Sequence, residues 1–396
     1  MERRVLSVSS RLRYFTESVI REMTRLSEES GAINLAQGMP DFDPPRQLIE
    51  AAVEAVSHGS NQYPITWGQR SLRSAIAKKI KEYNGIDADP EENITITCGS
   101  TEAAASAIFA LTNPRDHIVL TDPYYENYVP SAILADCDIV HVPFIEPNLS
   151  LDEEKLKDVM EKRPKMIILT TPNNPTGRVL DSDQLRIIAD LCEEYGTIAV
   201  TDEIYEHITY DGKKHVSLAT VGNMHERTVT ISGASKTYSV TGWRVGWAIA
   251  EARLSDAIRK VHDYITIGAP TPLQEALVTA LQFPREFYEK LAATYDGKRL
   301  YLMRALDEIG LEYHRPEGAY YILAEAPEEF ADGREFTDYL LKNVGIAVLP
   351  AEVLYYDKEV GKRKIRLAYC KRDATLEEVA NRLKALSPRM KRKTTG

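Results

Sequence analysis

Lys236 lies in Ser232-Gly233-Ala234-Ser235-Lys236-Thr237-Tyr238, which runs on to Thr241-Gly242-Trp243-Arg244, so a lysine follows the end of an apolar, β-branched run amid small hydroxyl residues. An amine condenses with an aldehyde through its deprotonated fraction, and limited solvent with an arginine nearby enlarges that fraction. The chemistry open to Lys236 is therefore capture of a carbonyl compound. Solvated surface lysines are just as common at strand ends, and this segment alone leaves both readings open.

Upstream, IAVTDEIYEH places Asp202 at the end of an apolar run and Tyr205 three residues on. A carboxylate at a strand tip needs a partner. A pyridine ring is one: the carboxylate keeps the ring nitrogen protonated, the ring becomes an electron sink, and the Tyr205 phenol can donate to a ring oxygen. The rival reading groups Asp202, Glu203, Glu206 and His207 as metal ligands. Alternation along a strand aims neighbouring side chains to opposite faces, and no second histidine adjoins them, which argues against it. A third segment, Pro172-Asn173-Asn174-Pro175-Thr176-Gly177, is a rigid turn after the run MIILT. Turn chemistry accounts for most of its composition.

These segments need elements to hold them. The runs ITITCG (94–99), HIVLTDP (117–123), IVHVPF (139–144), MIILTTP (166–172), IAVTDEIY (198–205), TVTISG (228–233) and GWAIA (246–250) alternate with helix-like stretches. That is the rhythm of an α/β fold with a mostly parallel, seven-stranded sheet. Gly99, Asp122, Pro172, Asp202 and Ser232 close their runs with small or polar groups, at the edge where open α/β sheets place ligand chemistry. Beyond Pro272 the pattern turns to long helices, one expected over much of Pro284 to Ile309, then to short strands near YYILAE (320–325) and KIRLAYC (364–370). A large domain is expected over 46–284. A smaller α+β domain is expected from 1–45 and 285–396, the opening segment with its DFDPP turn packing on the later one.

The bulk properties bound the partners. A chain of 396 residues, 43% hydrophobic and 27% charged, is long enough for more than one core. Its formal net charge of −10 argues against a nucleic-acid partner, and the basic end RMKRKTTG reads as a solvated tail. The start MERRVLSVSSRLRY lacks the apolar region of a secretory signal, and no stretch of ~18 apolar residues follows, so no membrane partner and a cytoplasmic location are expected. Cys98, Cys137, Cys192 and Cys370 are far apart and form no C-x-x-C pair, which reads as reduced thiols rather than a zinc or disulfide framework. No fixed-period repeat is visible.

The order of the three segments, Asn-Pro turn first, Asp-x-x-Tyr next and Ser-Lys with Thr-Gly-Trp-Arg last, resembles the class I aminotransferases. These are fold-type I pyridoxal-phosphate enzymes of the aspartate, aromatic and kynurenine aminotransferase kind, and the resemblance runs over nearly the whole chain. It implies a transaminase carrying pyridoxal 5'-phosphate, with Lys236, Asp202 and Tyr205 as its catalytic residues. Lys236 matches the lysine that binds the cofactor aldehyde and moves the proton at the substrate Cα. Asp202 matches the partner of the ring nitrogen, and Asn174 and Tyr205 match the groups that hydrogen-bond the ring oxygen. Arg244 resembles the phosphate-binding arginine. Ser100 and Thr101, in TCGST, match the turn whose N–H groups cradle the phosphate at a helix start, and Ser235 adds a hydroxyl. Tyr125, in DPYYENY, matches the ring that stacks on the cofactor, while Tyr124 and Tyr128 read as core or wall residues.

On the substrate side, Gly38 in INLAQGMPDF resembles a close backbone approach to the substrate carboxylate, and Arg366 in KIRLAY resembles the arginine whose fork holds it, beside Asn174. Tyr63, in NQYPITWG, matches a tyrosine that reaches the phosphate of the neighbouring subunit, which implies a homodimer. Three positions depart from the family pattern. Gly233 stands where relatives often carry a serine, with Ser232 as a weak substitute. Pro350-Ala351-Glu352 replaces a glycine-bearing proline turn. Thr101 stands where some dicarboxylate-specific relatives have a lysine, and no arginine lies near TIGAPT (266–271). A tyrosine-rich wall and a neutral mouth then point to neutral, aromatic or sulfur-containing amino acids, exchanged with a 2-oxo acid by a ping-pong mechanism. A C–S β-lyase on the same scaffold shares nearly all these motifs. A non-catalytic pyridoxal-phosphate-binding regulator needs a further domain, for which residues 1–30 are too short. A nicotinamide dehydrogenase is disfavoured because TCGSTE stands where G-x-G-x-x-G would be.

Overall fold

β-Branched and aliphatic runs form strands because their side chains fit a pleat that is covered on both faces. In the computed structural model, which describes residues 8–59, 61–384 and 386, eight such strands make one sheet. They are β1 (Ile94–Thr97), β2 (His117–Asp122), β3 (Asp138–Ile145), β4 (Ser150–Leu151), β5 (Met166–Thr170), β6 (Ile198–Asp202), β7 (Thr228–Gly233) and β8 (Gly246–Ile249). Their spatial order is β1-β8-β7-β6-β5-β2-β3-β4. The five central strands, β7 to β3, run parallel, and β8 is antiparallel to both its neighbours. The seven expected strands are all present, and the two-residue β4 extends the edge beside β3. Every residue of β5 is buried, as a strand sandwiched between layers requires.

A second, four-stranded antiparallel sheet follows: β9 (Tyr313–His314), β10 (Tyr321–Glu325), β11 (Leu349–Pro350) and β12 (Lys364–Ala368), in the order β9-β10-β12-β11. Four helices matter for the site: α1 (Val19–Ser30), α2 (Ser100–Leu111), α3 (Ala252–Thr266) and α4 (Arg285–Ile309). The last spans the long helix foreseen between Pro284 and Ile309, and it stops at Gly310, whose φ of 72° is left-handed and costs glycine nothing. The N-terminal stretch returns to the second sheet's side: Ile33–Asn34 pairs in parallel with Ile346–Ala347, and Leu35 packs in a core with Leu302, Leu306, Tyr320 and Ile365. At Pro350-Ala351-Glu352 no residue has a positive φ, so the short turn there has no need of a glycine. The four cysteines are unpaired, Cys98 half-buried and the others buried. Among the described residues no helix is long and apolar enough to cross a membrane. The basic end, 389–396, lies outside the described residues.

Candidate active site

A cavity of about 450 Å³ opens where β5, β6 and β7 end. Gly38, Ser100, Thr101, Tyr125, Asn174, Asp202, Tyr205, Ser235, Lys236, Arg244 and Arg366 all line it. Of the residues predicted for the site only Tyr63 is elsewhere, 81% exposed on the outer surface.

Lys236 sits on a single helical turn, Ala234–Thr237, that starts as β7 ends. Its Nζ donates to the Gly38 carbonyl at 3.2 Å and pairs with no carboxylate among the described residues. Burial pulls the ammonium pKa down to about 8, and the charges of Arg244 and Arg366 act in the same direction. The group therefore reaches its nucleophilic form near neutrality, as condensation with a carbonyl requires.

Asp202, the last residue of β6, is buried beside it. Burial pushes its carboxyl up to about 6, against the pull of the Tyr128 hydroxyl, the Ile204 N–H and the Lys236 charge. Tyr128 Oη donates to Asp202 Oδ2 at 2.8 Å, and Ile204 N donates to Oδ1 at 3.2 Å. Tyr128 is a wall residue of the cavity, as expected, and in addition holds the carboxylate. Tyr205 Oη lies 3.0 Å from Tyr321 Oη, and burial keeps the Tyr205 phenol protonated far above its ordinary range, so it remains a donor. Tyr321 was not singled out in the sequence, where it is one aromatic residue of an ordinary strand.

At the other end, β1 passes through Gly99, with φ 84°, into α2. The Ser100 and Thr101 N–H groups fall in the first turn of that helix and have no intrahelical acceptor, an arrangement that suits an anion. Arg244, itself left-handed at φ 54°, donates to the Thr241 carbonyl at 2.8 Å and lies across Gly99, where a Cβ would fall 2.3 Å from its Nη2. Arg244 has no acidic partner among the described residues. The one acid in this turn, Glu102, has another partner: His262 Nδ1 lies 3.0 Å from Glu102 Oε2, and its Nε2 lies 2.8 Å from the Thr66 carbonyl. Burial works against a charged imidazole, but Glu102 overrides it and raises the His262 pKa. Ser235 lines the cavity as expected. Ser232 does not substitute for the missing serine at 233, because its hydroxyl donates to Glu206 at 2.9 Å, away from the cavity. At Gly233 a Cβ would come within 3.0 Å of Gly246 Cα, so that position is tightly packed.

Arg366 on β12 is 1% exposed. Its Nη1 donates to Asn174 Oδ1 at 2.7 Å and its Nη2 to the Ala36 carbonyl at 2.6 Å, and the guanidinium lies 4.3 Å from the Tyr321 ring centre. Among the described residues its Nε is buried with no partner, and no carboxylate pairs with it. The Gly38 N–H also lacks an acceptor among the described residues, and a Cβ at Gly38 would fall 1.9 Å from Tyr321 Oη. A buried guanidinium without an anion is costly, so this end is built for a carboxylate that arrives from outside.

The acidic run after Asp202 divides. Asp202 lines the cavity, whereas Glu203 and Glu206 join His215 in a buried cluster whose ligand atoms lie within 4.8 Å of one another. The Lys79 ammonium already stands 2.6 Å from Glu206 Oε1, and His215 Nε2 and Ser217 Oγ lie 2.7 and 2.5 Å from Glu203 Oε2. These contacts satisfy both carboxylates without a metal. Arg21 of α1 and Glu126, one cation and one anion, also line the cavity.

The arrangement is thus an amine near its pKa, a carboxylate fixed beside it, an anion cradle and a carboxylate clamp in one cavity. A family model described as aminotransferase class I and II matches residues 30–383. The chain is 35% identical to the methionine aminotransferase of Escherichia coli over 95% of its own length and 98% of that protein's. It is 30% identical to the human kynurenine–oxoglutarate transaminase 1, over 92% and 94%. The solved structure of N-succinyldiaminopimelate aminotransferase from Mycobacterium tuberculosis superposes with a TM-score of 0.93 at 36% identity, covering 96% of this chain and 100% of that one. Family, fold and cavity agree, and the chain belongs to the class I and II aminotransferases, transaminases that use pyridoxal phosphate.

Proposed function

We propose that this enzyme moves the amino group of a neutral, aromatic or sulfur-containing L-amino acid to a 2-oxo acid by a ping-pong mechanism, with Lys236 carrying the proton. One observation carries the reading: the half-buried amine of Lys236, with its pKa near 8, and the buried guanidinium of Arg366, which has no acidic partner among the described residues, line the same cavity.

The residues present fit pyridoxal phosphate. Arg244, without an acidic partner, and the free N–H groups of Ser100 and Thr101 suit its phosphate, with the Ser235 hydroxyl beside them. Asp202 would face the ring nitrogen, Tyr205 and Asn174 the ring oxygen, and Tyr125 the ring face. Bound there, the cofactor supplies an aldehyde for the substrate amine and a ring that takes up the electron pair of the broken Cα–H bond.

The chain's own groups do the rest. Arg366, through its orphaned Nε, and the Gly38 N–H bind the substrate carboxylate. That fixes the orientation of Cα, so that Lys236 Nζ removes its proton. Tyr128 and the Ile204 N–H keep the Asp202 carboxylate in place throughout. Tyr125, Tyr128, Tyr205 and Tyr321, with Ile20 and Met39, form a wall suited to apolar and aromatic side chains. In this reading residues 46–284 form the cofactor-bearing domain and 1–45 with 285–396 the smaller one. Tyr63, exposed with Ile65, Tyr264 and Ile267, belongs to a homodimer interface and reaches the partner's phosphate site.

The test is an absorbance spectrum of the purified protein with pyridoxal phosphate, before and after a panel of amino acids, beside the Lys236→Ala variant. A visible band that bleaches with some donors and returns with an oxo acid is expected from the wild type, and none of it from a folded Lys236→Ala. Turnover by that variant would remove Lys236 from the chemistry, and a cofactor that never exchanges its amino group would point to a lyase or a regulator.

A further inference from the structure

Four cations line the cavity: Arg21, Lys236, Arg244 and Arg366. The reading above, on which this inference rests, gives three of them a task, and Arg21 has none. Arg21 is exposed on α1 and forms no ion pair with any described residue. It nonetheless belongs to the site, since it lines the same cavity as Gln37, Gly38 and Tyr125. Of the two acids in the cavity, Asp202 is held by Tyr128 and Ile204, and Glu126 accepts a hydrogen bond from the Ser18 hydroxyl at the start of α1. Glu126 lies beyond ion-pair distance of Arg21 and does not neutralise it by contact.

We propose that Arg21 binds the distal carboxylate of a dicarboxylic 2-oxo acid, making such an acid the preferred amino acceptor. Arg366 is one guanidinium deep in the protein and serves one carboxylate, so a second carboxylate on the same molecule needs a second cation. Thr101 offers none. A guanidinium presents parallel N–H groups to both oxygens of a carboxylate, which suits a charged chain end arriving at the mouth. Exposure of Arg21 also explains how one cavity accepts two kinds of substrate. When a neutral amino acid occupies it, Arg21 remains in water and no buried charge is stranded; when a dicarboxylic acid enters, the same group closes on it. A buried arginine in that place would reject apolar side chains by leaving its own charge unpaired.

The experiment uses the holoenzyme with one fixed donor and two acceptors of equal chain length, 2-oxoglutarate and 2-oxopentanoate. The ratio of their kcat/KM values is expected to favour 2-oxoglutarate in the wild type and to fall about tenfold in Arg21→Gln, with partial return in Arg21→Lys, as the loss of one charge-assisted contact implies. An unmoved ratio, or an equal loss with both acceptors, overturns the proposal. A second measurement needs no variant: glutarate should inhibit the wild type more tightly than pentanoate, and equal inhibition would count against Arg21. An enzyme inactive with every acceptor would instead overturn the transaminase reading, whereas an active enzyme with an unmoved ratio removes Arg21 alone.

Discussion

Tyr128 Oη donates to Asp202 Oδ2 at 2.8 Å and lies 3.0 Å from Thr170 Oγ1, so one phenol ties the ends of the adjacent strands β5 and β6. Thr170 and Asp202 are partners in the register of those strands, which fixes the distance the phenol has to bridge. The hydrogen bond favours the charged form of a carboxylate that burial drives the other way.

Replacing Tyr128 by Phe removes that donor and leaves the ring in place. The Asp202 pKa then rises further above about 6, and the acid limb of the pH profile of kcat/KM moves to higher pH. At neutral pH we expect a loss of about fivefold to tenfold, the worth of one hydrogen bond of about 1–1.5 kcal/mol. Steady-state kinetics across pH checks both, and an acid limb that stays where it was would separate Tyr128 from Asp202.

The depressed pKa of Lys236 predicts how the apoprotein captures pyridoxal phosphate. Its folded value of about 8 lies below the ordinary 10.5, so the neutral amine accumulates as pH rises through about 8 rather than through the range of a surface lysine. Stopped-flow capture rates should climb to about pH 8 and then level off. Rates that keep climbing as an unperturbed lysine would, towards about pH 10.4, would show that Lys236 is not desolvated.

Arg366→Lys keeps the positive charge but loses the fork that reaches both Asn174 Oδ1 and the Ala36 carbonyl. A point charge cannot replace planar, two-pronged recognition, and kcat/KM for every amino donor should fall about 10- to 100-fold, mainly through KM. A loss confined to some side chains would place Arg366 at the distal end of the substrate instead.

Asp202 carries a stability cost in the apoprotein. Its folded pKa of about 6 exceeds the unfolded 3.8, so folding favours proton uptake between those values and stability from this group declines as pH rises through that window. The cost is absent below about pH 4 and complete above about pH 6, at an order of 3 kcal/mol for a shift of about two units. Asp202→Asn, which removes the charge, should therefore be the more stable apoprotein at pH 8 and lose that advantage at pH 4, while losing turnover. Chemical denaturation of both apoproteins at the two pH values measures it; equal stability at pH 8 would contradict the desolvation.

Legibility in the sequence followed locality. The strand runs were plain because a strand buried on both faces must be apolar almost throughout, as β5 is. Lys236 and Asp202 were visible because each closes a strand run in a short segment of its own, whereas Asn174 and Arg366 stood out only through the resemblance to the aminotransferases. The role of Tyr128 was hidden for the opposite reason. Its role depends on Thr170 and Asp202, 42 and 74 residues away, and nothing in DPYYENY distinguishes it from the aromatic residues beside it. Ser232 was named as a weak substitute for the absent serine, and only the placement of Glu206 shows where its hydroxyl goes.

What the sequence determined by itself was the kind of chemistry, since an ordered set of reactive groups at strand ends survives in one dimension. Tertiary structure decided which groups share a cavity and what charge each bears. Lys236 meets the Gly38 carbonyl across 198 residues, and Arg366 meets the Ala36 carbonyl across 330. Such contacts, and the burial that pulls Lys236 down and pushes Asp202 up, arise only when distant segments exclude water together. The place of Arg21 has the same origin. Arg21 is an ordinary surface residue of an amphipathic helix until the start of α1 is brought against the cavity.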